Sequence, residues 1–414
     1  MKFHVEGYGC SLNRSDTEKI RHFLSKHNCT IYPLDKAETI IINTCAVKEP
    51  TEFKMLNRIR ELKKISDSNN AELIVFGCLA GMNAAKVMEI SKDIILIPPS
   101  LEELARHLGI EETEFSPAIE SIRENEFVAI IPISRGCRNN CSYCGVKQVR
   151  GELKSYGIKE LKENFTKEIA RPCEVWLTAQ DTADYGFDLG NSLPELLGQL
   201  LEIEGNYMIR IGMMNPKNLM RIKDELIPLM QDERVYKFLH IPVQSGSDRI
   251  LKAMKRNYIA AEFLSLAKEL KEKIPGLNIS TDVIVGFPGE SKDDFKKSVE
   301  LLKELKPGVV NISRYGDRPN TAAEKMDGKI HGRDKKARSR ELSSLCREIF
   351  LGENKAMEGK TLKIFVSEKG PKGGFVGRNL SYKPVVIGKD LMGKMAKVKI
   401  LRAHPFYLEA MAEL

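Results

Sequence analysis

No stretch of this chain approaches the roughly eighteen uninterrupted apolar residues that span a bilayer. Its first residues also lack the cationic-then-apolar order of a secretory leader, so the expectation is a cytoplasmic protein without a membrane segment. No second closely spaced pair of cysteines or histidines follows the cysteine cluster at 137–144, which argues against a four-ligand structural zinc site. That cluster holds three cysteines, and three cannot pair evenly, so a disulfide there is not expected either.

What the chain does have is length, cysteine and a lopsided charge. Its 414 residues exceed what one hydrophobic core usually serves, so two or three domains are expected. Nine cysteines in a reducing compartment point to metal or redox work. Six fall into motifs; Cys29, Cys173 and Cys346 do not, and they read as small buried hydrophobes. The formal charge is +8, and residues 354–414 carry most of the excess, with twelve Lys and Arg against five Asp and Glu. A solvated surface is the ordinary reading of such a bias, and a cationic module that tracks a phosphate backbone is the functional one.

Ser134-Arg-Gly-Cys-Arg-Asn-Asn-Cys-Ser-Tyr-Cys-Gly145 sets Cys137, Cys141 and Cys144 in a CxxxCxxC array on a glycine-flanked loop. Three thiolates can hold three irons of a 4Fe-4S cluster and leave the fourth open to a substrate. With the aromatic Tyr143 just before the last cysteine, the array resembles that of the radical SAM superfamily. The resemblance implies that the open iron chelates S-adenosylmethionine (SAM). One electron from the cluster then splits SAM into methionine and a 5'-deoxyadenosyl radical.

Nearer the N-terminus, three apolar strand runs each lead into a cysteine. Residues 2–6 precede Gly7-Tyr-Gly-Cys10, 40–43 precede Thr44-Cys45, and 73–76 precede Gly77-Cys78, with a helix expected from Asn13 or Ser15. Strand carboxyl ends line one rim of a parallel α/β sheet, so these distant thiols can meet and hold a second 4Fe-4S cluster with an open iron. Any one of them alone would read as a buried cysteine; the threefold repeat favours a cluster. Gly7-Tyr-Gly-Cys-Ser-Leu-Asn-Arg-Ser-Asp16, Ile42-Asn-Thr-Cys-Ala-Val-Lys48 and Gly77-Cys78 are similar to the N-terminal domain of the methylthiotransferases. That resemblance implies an auxiliary cluster on Cys10, Cys45 and Cys78, whose free iron carries the sulfur to be delivered. The third motif departs from the family: it runs Leu79-Ala-Gly-Met-Asn83 where Pro or Gln and an Arg are common.

Past a polar connector at about 111–125, strand runs at 127–131, 174–177, 208–212, 236–241, 279–285 and 309–312 alternate with helical patterns such as 261–273 and 293–305. This is the rhythm of an open, parallel barrel with its site at the strand carboxyl ends. The superfamily resemblance implies the same partial barrel. It also makes Tyr143, Gln180, Asp181, Arg210, His240 and Gln244 candidate SAM contacts, Gln180 for the amino group and Arg210 for the carboxylate. A satisfied structural histidine is an equal reading of His240. The terminal barrel motif holds Arg314 and Arg318, with Asn320 where the family usually has Gly. Arg333–Arg340 reads as a solvated helix face or as a phosphate contact.

From about 353 the texture changes to short alternating runs between glycine-rich turns, which suggests a small antiparallel β-barrel resembling the TRAM domain. Phe375, Arg378 and Tyr382 set rings among cations. Arg314, Arg318, Phe375 and Arg378 are the candidate RNA contacts. The expected architecture is therefore α/β: a Rossmann-like parallel-sheet domain at 1–108, a radical SAM partial (βα)6 barrel at 122–350, and a TRAM barrel at 353–414.

These resemblances imply a tRNA methylthiotransferase using two 4Fe-4S clusters and SAM. Breaking an unactivated aromatic C–H bond calls for a radical, and placing sulfur there calls for a sulfur store nearby. Trp176-Leu-Thr-Ala-Gln-Asp-Thr-Ala-Asp-Tyr-Gly186 looks most like the archaeal and eukaryotic branch. The implied substrate of that branch is threonylcarbamoyladenosine at position 37, in the tRNA anticodon stem-loop. Methylthiolation of isopentenyladenosine or of a ribosomal-protein aspartate are alternatives, as is a non-catalytic iron-sulfur RNA-binding sensor. The expected partners are tRNA, an electron donor and a sulfur donor, with the enzyme a monomer that needs no membrane. The two cysteine triads should face one another.

Overall fold

The computed structural model describes residues 1–47, 49–111 and 121–413; Lys48 of the second cysteine motif and 112–120 of the connector lie outside them. Grouping by contacts gives two compact units. One comprises Met1–Glu124, Ile130–Asn164 and Gly316–Glu324; the other comprises Asn125–Ala129, Phe165–Tyr315 and Lys325–Leu414. The units divide the chain otherwise than its sequence domains do. The CxxxCxxC loop packs with the N-terminal sheet, and the C-terminal barrel packs with the central strands.

In the first unit a five-stranded parallel sheet has the order Thr30–Ile31, Lys2–Gly7, Thr39–Thr44, Glu72–Gly77, Ile95–Ile97. Thr39–Thr44 is buried throughout, as the continuous run Ile40-Ile-Ile requires of a strand covered on both faces. Ile40 and Ile42 pack with Met55, Ile59 and Leu62 of the helix Glu49–Asn69, while Ile41 turns to Ile20, Phe23 and Leu24 of the helix Ser11–Lys26. That first helix begins earlier than the sequence suggests. Cys10 is its N-cap, so the strand reaches the helix through three residues.

In the second unit the strand candidates of the sequence recur in order. Cys173–Thr178 and Tyr207–Ile211 pair in one sheet, and Phe238–His240, Asn278–Val285 and Val309–Arg314 form another, with a parallel bridge from Met213 to His240 between them. Sequence neighbours lie side by side, the arrangement of an open (βα) barrel. The helix Gly332–Lys355 buries Leu342, Cys346 and Phe350, one helical stripe. Its basic run is partly spent inside the fold, since Lys335 donates to the Tyr315 carbonyl at 2.9 Å and Arg338 pairs with Glu290.

The C-terminal barrel closes in the order Thr361–Lys369, Phe375–Asn379, Pro384–Ile387, Leu408–Ala412, Met395–Ala403. It is not wholly antiparallel: Pro384–Ile387 and Leu408–Ala412 pair in parallel, because the longer strand Met395–Ala403 crosses between them and seals the far edge by pairing with Thr361–Lys369. Among the described residues no helix is long and apolar enough to cross a membrane. Cys29, Cys173 and Cys346 are buried, in accord with their reading as small hydrophobes.

Candidate active site

The sheet of the first unit brings the N-terminal triad together by register. Gly7 pairs with Asn43, Asn43 with Phe76, and Thr44 with Gly77, so Cys45 and Cys78 leave adjacent strands at the same level. Close approach there depends on two glycines in left-handed backbone. A Cβ at Gly9, φ +119°, would sit 2.6 Å from the Cys45 Cβ, and one at Gly77, φ +98°, would sit 2.4 Å from the Asn43 Oδ1.

Asn13 is the hub of this rim. It is fully buried, and its Nδ2 donates to the Tyr8 carbonyl at 3.1 Å and the Thr44 carbonyl at 2.7 Å. Its Oδ1 faces the sulfurs of Cys78 and Cys10 at 3.7 Å and 3.9 Å. Cys10 is exposed, whereas Cys45 and Cys78 are buried. Burial pushes the Cys45 thiol up and the Cys78 thiol up to about 12, with Arg150 pulling the latter back. An iron that binds these sulfurs must displace their protons.

The CxxxCxxC loop is closed by the Cys137 amide on the Gly151 carbonyl at 3.1 Å, and Asn139 Nδ2 lies 3.4 Å from the Cys137 sulfur. Its three cysteines are all partly exposed. The loop runs into the short helix Val146–Arg150, which packs against the helix Cys78–Met82 of the other triad. Here the departure at Leu79–Asn83 finds its use. A Cβ on Gly81 would come 2.9 Å from Val149 Cγ1, and Gly145 lies against Met82. At the end of that helix, Arg150 Nη2 reaches Asp16 Oδ2 at 2.6 Å, Asn13 Oδ1 at 2.9 Å and Cys78 Sγ at 3.9 Å. The triads therefore share one unit, and the helix that follows the CxxxCxxC loop reaches the other triad through Arg150. Sequence reasoning missed Arg150 and Asn13; the motif around Cys10 contained Asn13, but nothing marked the arginine.

Arg318, read as an RNA contact, is instead internal to this unit. It pairs with Glu52 at 2.5 Å and donates to the Val47 carbonyl at 3.3 Å. Glu52 also takes Asn83 Nδ2 at 2.9 Å and Lys86 Nζ at 2.6 Å, so Arg318 braces the second and third cysteine motifs. Asn320 keeps the turn with φ +62°, a left-handed conformation that asparagine tolerates.

In the second unit the candidate SAM residues separate into two groups. Gln180 is partly buried, and its Oε1 is enclosed without a hydrogen-bond partner among the described residues. His240 Nε2 meets Asp282 Oδ1 at 2.9 Å, and Asn311 holds the same oxygen at 2.7 Å. Gln244 adopts φ +72°, with its amide on the Asp282 carbonyl. Asp181 is buried, and its two oxygens take the Asn215 amide and Asn218 Nδ2. Arg210 sits among aromatic rings. The strand pleat turns it opposite the buried Ile209 and Ile211, toward its register partner Trp176. Its guanidinium lies 5.2 Å from the Trp176 ring, 5.5 Å from Phe238 and 5.2 Å from Tyr382 of the C-terminal barrel.

Two of the barrel's candidate RNA contacts pack against neighbouring side chains of the fold. Arg378 pairs with Glu368 at 3.2 Å and stacks on Tyr382, whose ring packs on Tyr236 and Phe238 and whose hydroxyl faces the buried Glu174. Phe375 is half-buried against the barrel core. Arg314 ends its strand exposed. Tyr143 is partly buried in the loop of the first unit.

Residues 131–302 match the radical SAM superfamily, 2–97 match the uncharacterized protein family UPF0004, and 355–412 match the TRAM domain. A Methanothermobacter thermautotrophicus protein described as "Probable threonylcarbamoyladenosine tRNA methylthiotransferase" is 36% identical over 423 residues, covering 99% of each chain. The threonylcarbamoyladenosine tRNA methylthiotransferase of Homo sapiens is 34% identical over 99% of this chain and 73% of its own. The chain belongs to this family. Among solved structures, the radical S-adenosylmethionine methyltransferase TsrM from Kitasatospora setae shares the fold, with a TM-score of 0.56 at 11% identity over 78% of this chain and 76% of that one.

For a threonylcarbamoyladenosine tRNA methylthiotransferase the donor sets fit their cofactors. Each triad offers three thiols and an exposed side, and each has a polar donor beside a sulfur, Arg150 in one and Asn139 in the other. Among the described residues no three His, Cys, Asp or Glu side chains converge tightly enough to hold a single ion. The unpartnered Gln180 Oε1 suits an ammonium donor such as the amino group of SAM.

Proposed function

We propose that this enzyme converts threonylcarbamoyladenosine at tRNA position 37 to its 2-methylthio derivative. The observation that carries the reading is that both cysteine triads lie in one unit, where Val146–Arg150, which follows one triad, packs on Cys78–Met82, which begins at the other, and Arg150 reaches the Cys78 sulfur. A radical made at one site and a sulfur held at the other must reach the same carbon, and only adjacent sites permit that.

Two 4Fe-4S clusters and SAM supply the radical and the sulfur when bound. The chain's own side chains orient them. Gln180 Oε1 accepts from the SAM amino group, while Asp282 fixes His240 and, through its carbonyl, the backbone of Gln244. Asn13 and Gly9 hold the auxiliary thiols on one rim, and the exposure of Cys10 leaves that rim open to an incoming nucleoside. The electron and the replacement sulfur come from separate donors, and the enzyme works as a cytoplasmic monomer.

The test is anaerobic reconstitution with iron and sulfide, then incubation with reductant, SAM and tRNA, followed by mass spectrometry of the digested nucleosides. A methylthio product on threonylcarbamoyladenosine is expected. Product on isopentenyladenosine would correct the substrate alone, and absence of any methylthio nucleoside would overturn the reading. An elution volume by size exclusion that corresponds to a dimer would correct the oligomeric state.

A further inference from the structure

Arg150 belongs by sequence to the radical loop and by contact to the auxiliary triad. It ends the helix that follows Cys144, yet its guanidinium is directed at the first cysteine motif, with a side chain only 7% exposed. Three partners share its Nη2: the Asp16 carboxylate, the Asn13 amide oxygen and the Cys78 sulfur. Asn13 itself touches the Cys10 and Cys78 sulfurs, so the arginine addresses two of the three auxiliary thiols, one directly and one through a single side chain. Among the described residues, no partner of Nη2 comes from the CxxxCxxC loop itself.

We propose that Arg150 is a positioning residue for the auxiliary cluster that sets its reduction potential, with Asp16 as its counterweight. The inference rests on the function proposed above, because it takes the Cys10 triad to hold a cluster. A guanidinium is always charged, and buried beside a thiolate it forms a charge-assisted hydrogen bond that strengthens as negative charge on the sulfur grows. Reduction of a cluster adds one negative charge. A nearby cation favours the reduced form and raises the potential; a nearby anion lowers it.

The Asp16 carboxylate, 2.6 Å from the same nitrogen, offsets part of the cation's field. The buried Lys19 is attracted by both Asp16 and Glu160. The arginine meets the sulfur directly, and the carboxylate meets the arginine. Removing either member must move the potential, and in opposite directions. A residue that only packed the helix in place would not produce that sign change.

The experiment isolates the auxiliary site in the full-length chain by replacing Cys137, Cys141 and Cys144 with alanine, then reconstituting with ferrous iron and sulfide. An anaerobic redox titration followed by electron paramagnetic resonance gives the midpoint. Arg150→Gln is expected to shift it to more negative values, Asp16→Asn to more positive ones, and Arg150→Lys, which keeps the charge, to leave it near the parent. If Arg150→Gln loses its iron while Arg150→Lys keeps it, the positioning role stands, and Asp16→Asn still reads the electrostatic one. Equal midpoints in the parent and Asp16→Asn, or shifts of one sign in Arg150→Gln and Asp16→Asn, overturn the inference and leave the proposed function standing. Failure of the parent to assemble any cluster overturns both.

Discussion

Arg318 donates to Glu52 at 2.5 Å across 266 positions of sequence, and the two side chains are only 8% and 4% exposed. A buried ion pair of this kind is costly to half-remove, because the surviving charge stays in a poorly solvating site. Arg318→Ala should therefore lower stability by about 3 kcal/mol, the low end for such pairs, since Lys86 and Asn83 still reach Glu52. Urea unfolding measures this. The salt dependence of tRNA binding should not change. A variant of parental stability with weakened tRNA binding would return Arg318 to the RNA surface.

Arg210 makes a parallel case in the other unit. With its guanidinium set among Trp176, Phe238 and Tyr382, Arg210→Ala should cost about 1–2 kcal/mol through lost cation–π and packing contacts. SAM affinity, read by equilibrium dialysis, should stay within twofold. A tenfold loss of affinity at unchanged melting temperature would restore the carboxylate role expected from the sequence.

The first strand carries an acid-sensitive latch. Burial alone would push the Glu6 carboxyl up, but hydrogen bonds from Arg58, His4 and Tyr8 bring it down from 4.5 to about 2. Its folded value lies below its unfolded one, so the stability it contributes is complete above pH 4.5 and is lost as pH falls toward 2. Glu6→Gln should be less stable than the parent at neutral pH, and the gap should close across that window. A gap that persists unchanged to pH 2 would rule the latch out.

Iron content separates the two triads. Replacing any one of Cys10, Cys45 and Cys78, or any one of Cys137, Cys141 and Cys144, should remove roughly half the iron and sulfide of the reconstituted protein, because each set serves its own 4Fe-4S cluster. Total loss from either replacement would mean that both triads serve a single centre.

The sequence was legible where function follows from position along an element. Three strands that each end at a cysteine disclosed a common rim, because a parallel sheet has only one carboxyl edge. The six strands of the central unit were readable from their buried runs. Residues whose partners are distant in sequence were not. Arg318, Arg378 and Tyr382 are cations and rings that the sequence offers to RNA, and Arg210 is a cation it offers to a carboxylate; tertiary contacts with Glu52, Glu368, Tyr236 and Trp176 hold them within the fold. The parallel pair in the C-terminal barrel escaped because alternation reveals a strand but not the direction of its neighbour. Arg150 escaped because one arginine in a five-residue helix has no period to betray it.

The matched ends of Thr39–Thr44 and Glu72–Gly77 also set where this chain can change length. The crossover segments between cysteines run over the sheet faces, and residues gained or lost there leave both sulfurs at the rim. One residue gained inside a strand, or between its last pair and the cysteine, turns the thiol to the opposite face of the pleat. Insertions between the motifs are therefore a matter of surface, while a single insertion within one of them disassembles the rim.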